Sequence, residues 1–465
     1  MKKIEIATIT PGTVAPVDLF TESGELLVSR GVIISEKHLD ILRRRNIFEV
    51  YQKLFEEEEE IHRILTKDFA ELEELRFEDP SHSVLHQPKK YALPKAAQLP
   101  QLAKIKTGQE GLLQLLRLSK ATELDATIKE GFFPDRPIGP ALKNKATQVS
   151  PAQRTDTYKE EAKAAYAEAL ANVKFILNGL AEVKAIDGTM IKGIVEKFVR
   201  TWLVDRSILL NIAGTKAPDE DYLYHHSLNV CLYSINIAAA AGYSERQTVD
   251  IGIGAVLHDV GMLLIPKEIR LKKARLTKDE WYEVQKHSVL GLHLLEKVSK
   301  LPESAPYIAY QTHERENGQG YPKQRNSRLI HNYSKIVQIA DIFESLTAPR
   351  NYRSPYMPYR AMEILIKMTR KNLVAGDLVK AFLNYMSLFP VGSLVELSDH
   401  CIGKVVQANE LHYTKPIVSV IVDGRGNLLP KEKIHQVDLA RNLSLQIVKA
   451  IDSNQLPGLD IMHGF

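Results

Sequence analysis

Apolar and polar residues alternate along VDLFTESGELLVSRGVIIS, from Val17 to Ser35, around a Ser-Gly turn, and this period predicts a β-hairpin. Ser35 then caps a predicted short helix, SEKHLDILRRR, whose arginines gather at its C-terminal end as the helix dipole prefers. Residues 1–55 therefore read as a small β-rich unit. The run Glu56–Glu60 opens a charged helical stretch to about Arg76, patterned as a solvated face. Prolines then recur from Pro80 to Pro151 and the period is lost. Residues 56–151 read as a linker or insertion carrying one or two short helices, notably GLLQLLRLSKA. After Pro151, Ala162, Tyr166, Ala169, Val173, Ile176, Leu177 and Leu180 return at steps of three and four, an amphipathic helical stripe. This stripe and the helix starting at Thr189 form a connector over 152–215. From Leu223 to about Met386 nearly everything is helical in pattern, with breaks at Gly242, Pro266, Pro302 and Gly318–Pro322, which defines a helical domain over 216–387. FPVGSLVELSD and KPIVSVIVDGRGN are β-branched runs broken by Gly, Asp and Asn, so a small β unit over 388–450 closes the pattern. The fold class that follows is mainly α: a helical bundle flanked by small β-rich units, multidomain α+β.

Composition narrows the function classes. A chain of 465 residues exceeds one compact core. The net charge of +4 argues against a DNA or RNA partner. Cys231 and Cys401 form no CxxC pattern, which fits a reducing compartment and excludes a thiolate zinc site. MKKIEIATITPG has a basic start without an apolar core, so it is no signal peptide. Val230–Tyr243, the most apolar stretch, falls short of the ~20 residues of a membrane span. A cytoplasmic protein without a membrane span is the expectation.

Histidine carries the chemistry. His226, His258, His287 and His313 follow one another at intervals of 32, 29 and 26 residues, and Asp341 comes 28 residues after the last. Each interval is about one helix-turn-helix excursion, so successive helices of a bundle can each deliver one ligand to a shared point. Asp259 directly follows His258, where a carboxylate can bridge two ions. A lone histidine on an apolar helix is more often a hydrogen-bonded core residue, and His225, His293, His331, His400 and His412 are placed in that class. The ordered set is harder to explain blandly. Imidazole with carboxylate points to iron, manganese, nickel or zinc, one ion or two, rather than calcium. Paired ions suit in-line attack on a phosphodiester.

The stretch QTHERENGQGYP adds a loop. Gly318 and Gly320 can take positive φ and allow close approach to a ligand, Pro322 stiffens the turn, and Tyr321 can stack on a nucleotide. The bland alternative is a tight surface turn. Arg350 and Arg353, in TAPRNYRS, are forked donors suited to phosphate or guanine edges, with solvated arginines as the alternative.

HHSLNV, AVLHDVGMLLIP, KHSVLG, THERENGQGYP and QIADIFESLTAPRNYRS together resemble the HD-GYP family, a bacterial branch of the HD phosphohydrolases, over about residues 222–386. The resemblance implies a helical bundle with a metal centre that cleaves cyclic di-GMP to pGpG or GMP. It implies His226, His258, Asp259, His287, His313 and Asp341 as metal ligands, His258 and Asp259 as the catalytic pair, and Gly320, Tyr321, Arg350 and Arg353 beside the nucleotide. Thr312 stands where the family has a second histidine, and Met262 where it has a lysine. Tyr222 replaces the glutamate of trinuclear members, and Glu344 replaces an aspartate. Thr312 predicts a weakened second metal position, Met262 the loss of a cation near the scissile phosphate, and Tyr222 the lack of a third metal, while Glu344 is the milder change. These departures leave a rival function beside the enzyme: a receptor for cyclic di-GMP, or a module binding a signalling protein. Whether helices over 156–210 form a homodimer is left open by the sequence.

Overall fold

The computed structural model describes residues 2–5, 9–12, 19–21, 26–28, 34–45, 47 and 49–52 near the N-terminus, and then 105–129, 137–147, 156–206, 221–348 and 355–451 apart from 273, 275, 410, 411 and 443. The chain divides into two compact units, 1–68 and 69–465.

In the first unit, β1 (Lys2–Glu5), β2 (Leu19–Phe20), β3 (Leu26–Val28) and β4 (Glu49–Gln52) form an antiparallel sheet in the order β1-β4-β2-β3. Helix α1 (Glu36–Arg44) starts at Ser35, whose hydroxyl accepts from the His38 N–H while His38 reaches back to the Ser35 N–H. Its apolar residues Leu39 and Leu42 close a core with Val28, Ile34 and Val50. The charged stretch from Glu56 to Arg76 lies outside the described residues.

The second unit is helical in its body. Helices α2 (Gly108–Leu115) and α3 (Ser119–Lys129) come from the proline-rich segment, and the predicted GLLQLLRLSKA helix is split between them at Leu116–Leu118. They are not loosely attached. Leu112, Leu115, Ala121, Leu124 and Ile128 are buried, the Gly108 N–H donates to Glu283 Oε1 at 2.6 Å, and Lys286 Nζ donates to the Lys106 carbonyl at 2.8 Å. This part of the segment packs on the helical domain, which a poor apolar period concealed. Next come α4 (Asp156–Ala181), β5 (Ile186–Asp187) and α5 (Thr189–Val204).

Helix α6 (Tyr222–Ala240) is buried on all sides, and α4, α7 (Glu245–Leu257), α12 (Asn332–Thr347) and α14 (Gly376–Met386) surround it. An all-round apolar helix belongs at the centre of a bundle. Between these lie α8 (Lys267–Arg270), α9 (Lys278–Gln285), α10 (His287–Leu295), β6 (Val298–Ser299), α11 (Ser304–Gln311) and α13 (Pro358–Arg370). Ser244 with Gln247 and Thr277 with Glu280 form capping boxes that fix where α7 and α9 begin. The chain then enters an antiparallel sheet of β7 (Leu394–Leu397), β8 (Ile402–Gln407), β9 (Ile417–Val422), β10 (His435–Asp438) and β11 (Ile447–Ile451), ordered β10-β9-β8-β7-β11. The mainly α class with a small β-rich C-terminal unit is what the residue pattern predicts. Among the described residues no helix is long and apolar enough to cross a membrane.

Candidate metal centre

Five helices deliver the cluster. His226 sits in the second turn of α6, His258 directly follows α7, His287 opens α10, His313 follows α11, and Asp341 lies within α12. All five, with Asp259, are buried. Asp341 occupies the body of its helix, not an end of it.

Asp259 is the hub. Its Oδ1 lies 3.4 Å from His258 Nε2, 3.2 Å from His287 Nε2 and 3.2 Å from His313 Nε2, and its Oδ2 lies 3.6 Å from His226 Nε2. Asp341 faces it, with Oδ1 at 3.3 Å from His226 Nε2 and Oδ2 at 3.6 Å from His313 Nδ1. Potential ligand atoms fall into three overlapping groups: His226–His258–Asp259, His258–His313–Asp341 and Asp259–His287–His313.

The far nitrogens are anchored, which sets the tautomers. His258 Nδ1 is 2.8 Å from the Ala255 carbonyl and His287 Nδ1 is 2.7 Å from the Val284 carbonyl. Both carbonyls belong to helix C-terminal turns, where acceptors lack backbone donors. A carbonyl only accepts, so both Nδ1 atoms carry the proton and both Nε2 lone pairs face the carboxylates. His226 is held the same way, its Nδ1 at 2.5 Å from Glu344 Oε2. Glu344 also accepts from Asn229 Nδ2 at 3.4 Å, and Tyr166 OH donates to Asn229 Oδ1 at 2.8 Å.

Lone pairs and carboxylate oxygens that converge in a buried place repel one another unless a cation lies between them. His258 Nε2 and His287 Nε2 are buried without a hydrogen-bond partner, as ligand atoms would be. The donor set therefore fits a divalent transition metal. The electrostatics agree. Burial pushes the carboxyls of Asp259 and Asp341 up, but the imidazoles around them outweigh it and hold both well below the usual carboxylate range. Burial likewise lowers His287, and the Asp259 carboxylate more than reverses this, whereas His313 stays lowered because burial prevails.

The GQGYP loop closes over this cluster. Tyr321 stacks on His313 with ring centroids 4.9 Å apart and 9° between planes, and its N–H donates to the His313 carbonyl at 3.1 Å. Trp281 and His287 meet Tyr321 edge-on at 5.5 and 6.1 Å. Gly318 takes the expected positive φ of 80°. Gly320 does not, and its requirement is space, since a Cβ there would fall 2.4 Å from Arg315 N and from the Glu314 carbonyl carbon. Glu314, wholly buried, accepts the Lys323 and Arg325 N–H groups at 2.8 Å each and so clasps the far side of the loop.

Thr312 is buried and turned away: its hydroxyl donates to the Ile308 carbonyl at 2.7 Å, back along its own helix. Met262 is half-buried and brings no charge. Arg350 and Arg353 lie outside the described residues. His225, left in the bland class, touches Tyr166 OH at 3.3 Å, and His331 caps α12 by accepting from the Tyr333 N–H. Glu344 and Asn229 carry no motif that marks them as partners of His226, although each lies three residues from a residue of the cluster on its own helix, on the same face. Arg315 is unmarked too. Burial lowers its guanidinium pKa, against the opposing pull of the Asp341 carboxylate.

Residues 216–374 match the HD domain family, and residues 394–459 match a KOW domain associated with HD domains. The chain is 26% identical over 259 residues to a cyclic di-GMP phosphodiesterase of Pseudomonas aeruginosa, covering 56% of this chain and 61% of that protein. It is 34% identical over 162 residues to a 3'3'-cGAMP-specific phosphodiesterase of Vibrio cholerae, covering 35% of this chain and 31% of that one. The chain thus spans about three fifths or less of these relatives' lengths. A solved HDG"Y"P protein from Bdellovibrio bacteriovorus aligns with 82% of this chain and 97% of its own, at 14% identity and a TM-score of 0.41.

Proposed function

This chain belongs to the HD domain family through residues 216–374 and is of the HD-GYP type, and on that premise we propose that it is a metal-dependent phosphodiesterase that hydrolyses cyclic di-GMP to pGpG or GMP. The observation that carries the reading is the Asp259 carboxylate, faced by four imidazoles, two of which, His258 and His287, have a buried Nε2 without a hydrogen-bond partner. His226, His258 and Asp259 would hold one ion, and Asp259, His287 and His313 a second, with Asp341 between them. A divalent ion supplies Lewis acidity to a phosphoryl oxygen and activates water as the nucleophile. The protein's own residues do the rest. Glu344, the Ala255 carbonyl and the Val284 carbonyl keep three imidazoles in the ligating tautomer, so no ring need turn or lose a proton when substrate arrives. Tyr321 screens His313 from water on one face, and Arg315 supplies a positive charge near Asp341 where Met262 supplies none.

A second reading, a receptor that binds cyclic di-GMP or a signalling protein with little turnover, is favoured by Thr312 facing Ile308 and by the uncharged Met262. Purified full-length protein incubated with cyclic di-GMP and Mn²⁺, with products followed by chromatography, decides between them. Turnover that disappears in Asp259→Ala supports the enzyme. Binding without turnover supports the receptor, and cleavage of 3'3'-cGAMP in preference to cyclic di-GMP moves the substrate assignment.

A further inference from the structure

Helix α3 lies outside the HD domain match, yet one of its side chains reaches the loop that carries Tyr321. The Asp125 carboxylate accepts from Lys323 Nζ at 2.7 Å, from Tyr310 OH at 3.1 Å and from Arg325 Nη2. Lys323 and Arg325 sit just after Tyr321 and Pro322, whereas Tyr310 lies on α11, three residues before His313. Arg325 is nearly buried, lies over the Tyr310 ring at 4.9 Å, and has Glu314 Oε1 at 3.8 Å. One anion therefore joins the C-terminal side of the loop to the helix that delivers His313. On the opposite side, the loop is tied to the same histidine through the Tyr321 N–H.

We infer that Asp125 is a positioning residue, whose carboxylate locks the Tyr321 loop to α11 and thereby holds the Tyr321–His313 stack over the metal centre. Charge-assisted bonds to a nearly buried guanidinium are strong, and removing the anion leaves that cation short of a partner. The loop is then free to shift relative to α11, and the His313 imidazole loses the surface that fixes its plane. The inference rests on the phosphodiesterase reading for its kinetic consequence and on the geometry alone for its others.

The test compares full-length wild type, Asp125→Asn and Asp125→Glu. Trp281 meets the Tyr321 ring edge-on and is one of two tryptophans in the chain, so tryptophan emission reports the loop without metal or substrate. In Asp125→Asn the emission should shift. Binding of Mn²⁺ to the His287–His313 group should weaken about tenfold, as expected when support for a ligand is removed. Binding at the His226–His258 group should hold. KM for cyclic di-GMP should rise more than kcat falls, and Asp125→Glu should recover most of each. Unchanged emission, metal binding and KM in Asp125→Asn would overturn the inference. So would a loss of thermal stability that weakens both metal groups alike and is not relieved in Asp125→Glu, because Asp125 would then serve only the fold. If wild type shows no turnover, the phosphodiesterase reading fails, while emission and metal binding still decide the role of Asp125.

Discussion

Gly261→Ala tests whether backbone contact between the segments that carry Asp259 and His287 sets the spacing of the cluster. Gly261 follows Asp259 by two residues, and a Cβ there would fall 2.0 Å from the His287 carbonyl oxygen and 2.7 Å from the Gly291 N. Both obstacles are backbone atoms of α10, so no side chain can rotate to relieve them. Ordinary separations are ~3.5 Å, and α10 must therefore withdraw by roughly 1 Å or more. His287 begins that helix, with its Nε2 at 3.2 Å from Asp259 Oδ1. Metal–ligand distances tolerate shifts of only about 0.2 Å, so the Asp259–His287–His313 group should lose its ion. The His226–His258–Asp259 group contains no residue of α10 and should keep its own. Overpacking of this kind costs about 1–3 kcal/mol, and each kcal/mol lowers Tm by about 2–4 °C in a domain of this size. Elemental analysis after equilibration with Mn²⁺, together with a thermal melt, reads both effects. A Gly261→Ala protein with the wild-type metal content and Tm would refute the argument that this contact spaces the ligands.

Two further substitutions probe residues beside the cluster. Thr312→His replaces a hydroxyl now bonded to the Ile308 carbonyl, and should raise both metal content and hydrolysis rate; metal analysis without a gain would show that Thr312 is not the weak point. Glu344→Gln removes the anion that holds the His226 tautomer, and should weaken metal binding about 10–100-fold in a calorimetric Mn²⁺ titration, with an unchanged isotherm counting against it.

Much of this protein was legible in its residues. The 3.6-residue period marked the helical body, the β-branched runs marked the C-terminal strands, and the spacing of histidines picked out six side chains that do converge. That spacing works because a bundle returns the chain to the same level after each pair of helices, so regular intervals become one place in space. Other features had no signature in the sequence. Asp125 lies 200 residues from Arg325, in a segment whose apolar period is poor, and only folding brings the two together. The Thr312 hydroxyl turning back to Ile308 on its own helix, and Gly320 being needed for space beside Glu314 and Arg315 rather than for positive φ, are short-range contacts, but the folded backbone and not the residue types decides them. Residue type and period determine which faces are buried and which donors are available, because those depend on a few adjacent positions. Which atoms then meet, and at what distance, depends on how close-packed helices settle against one another, and that is a property of the whole core.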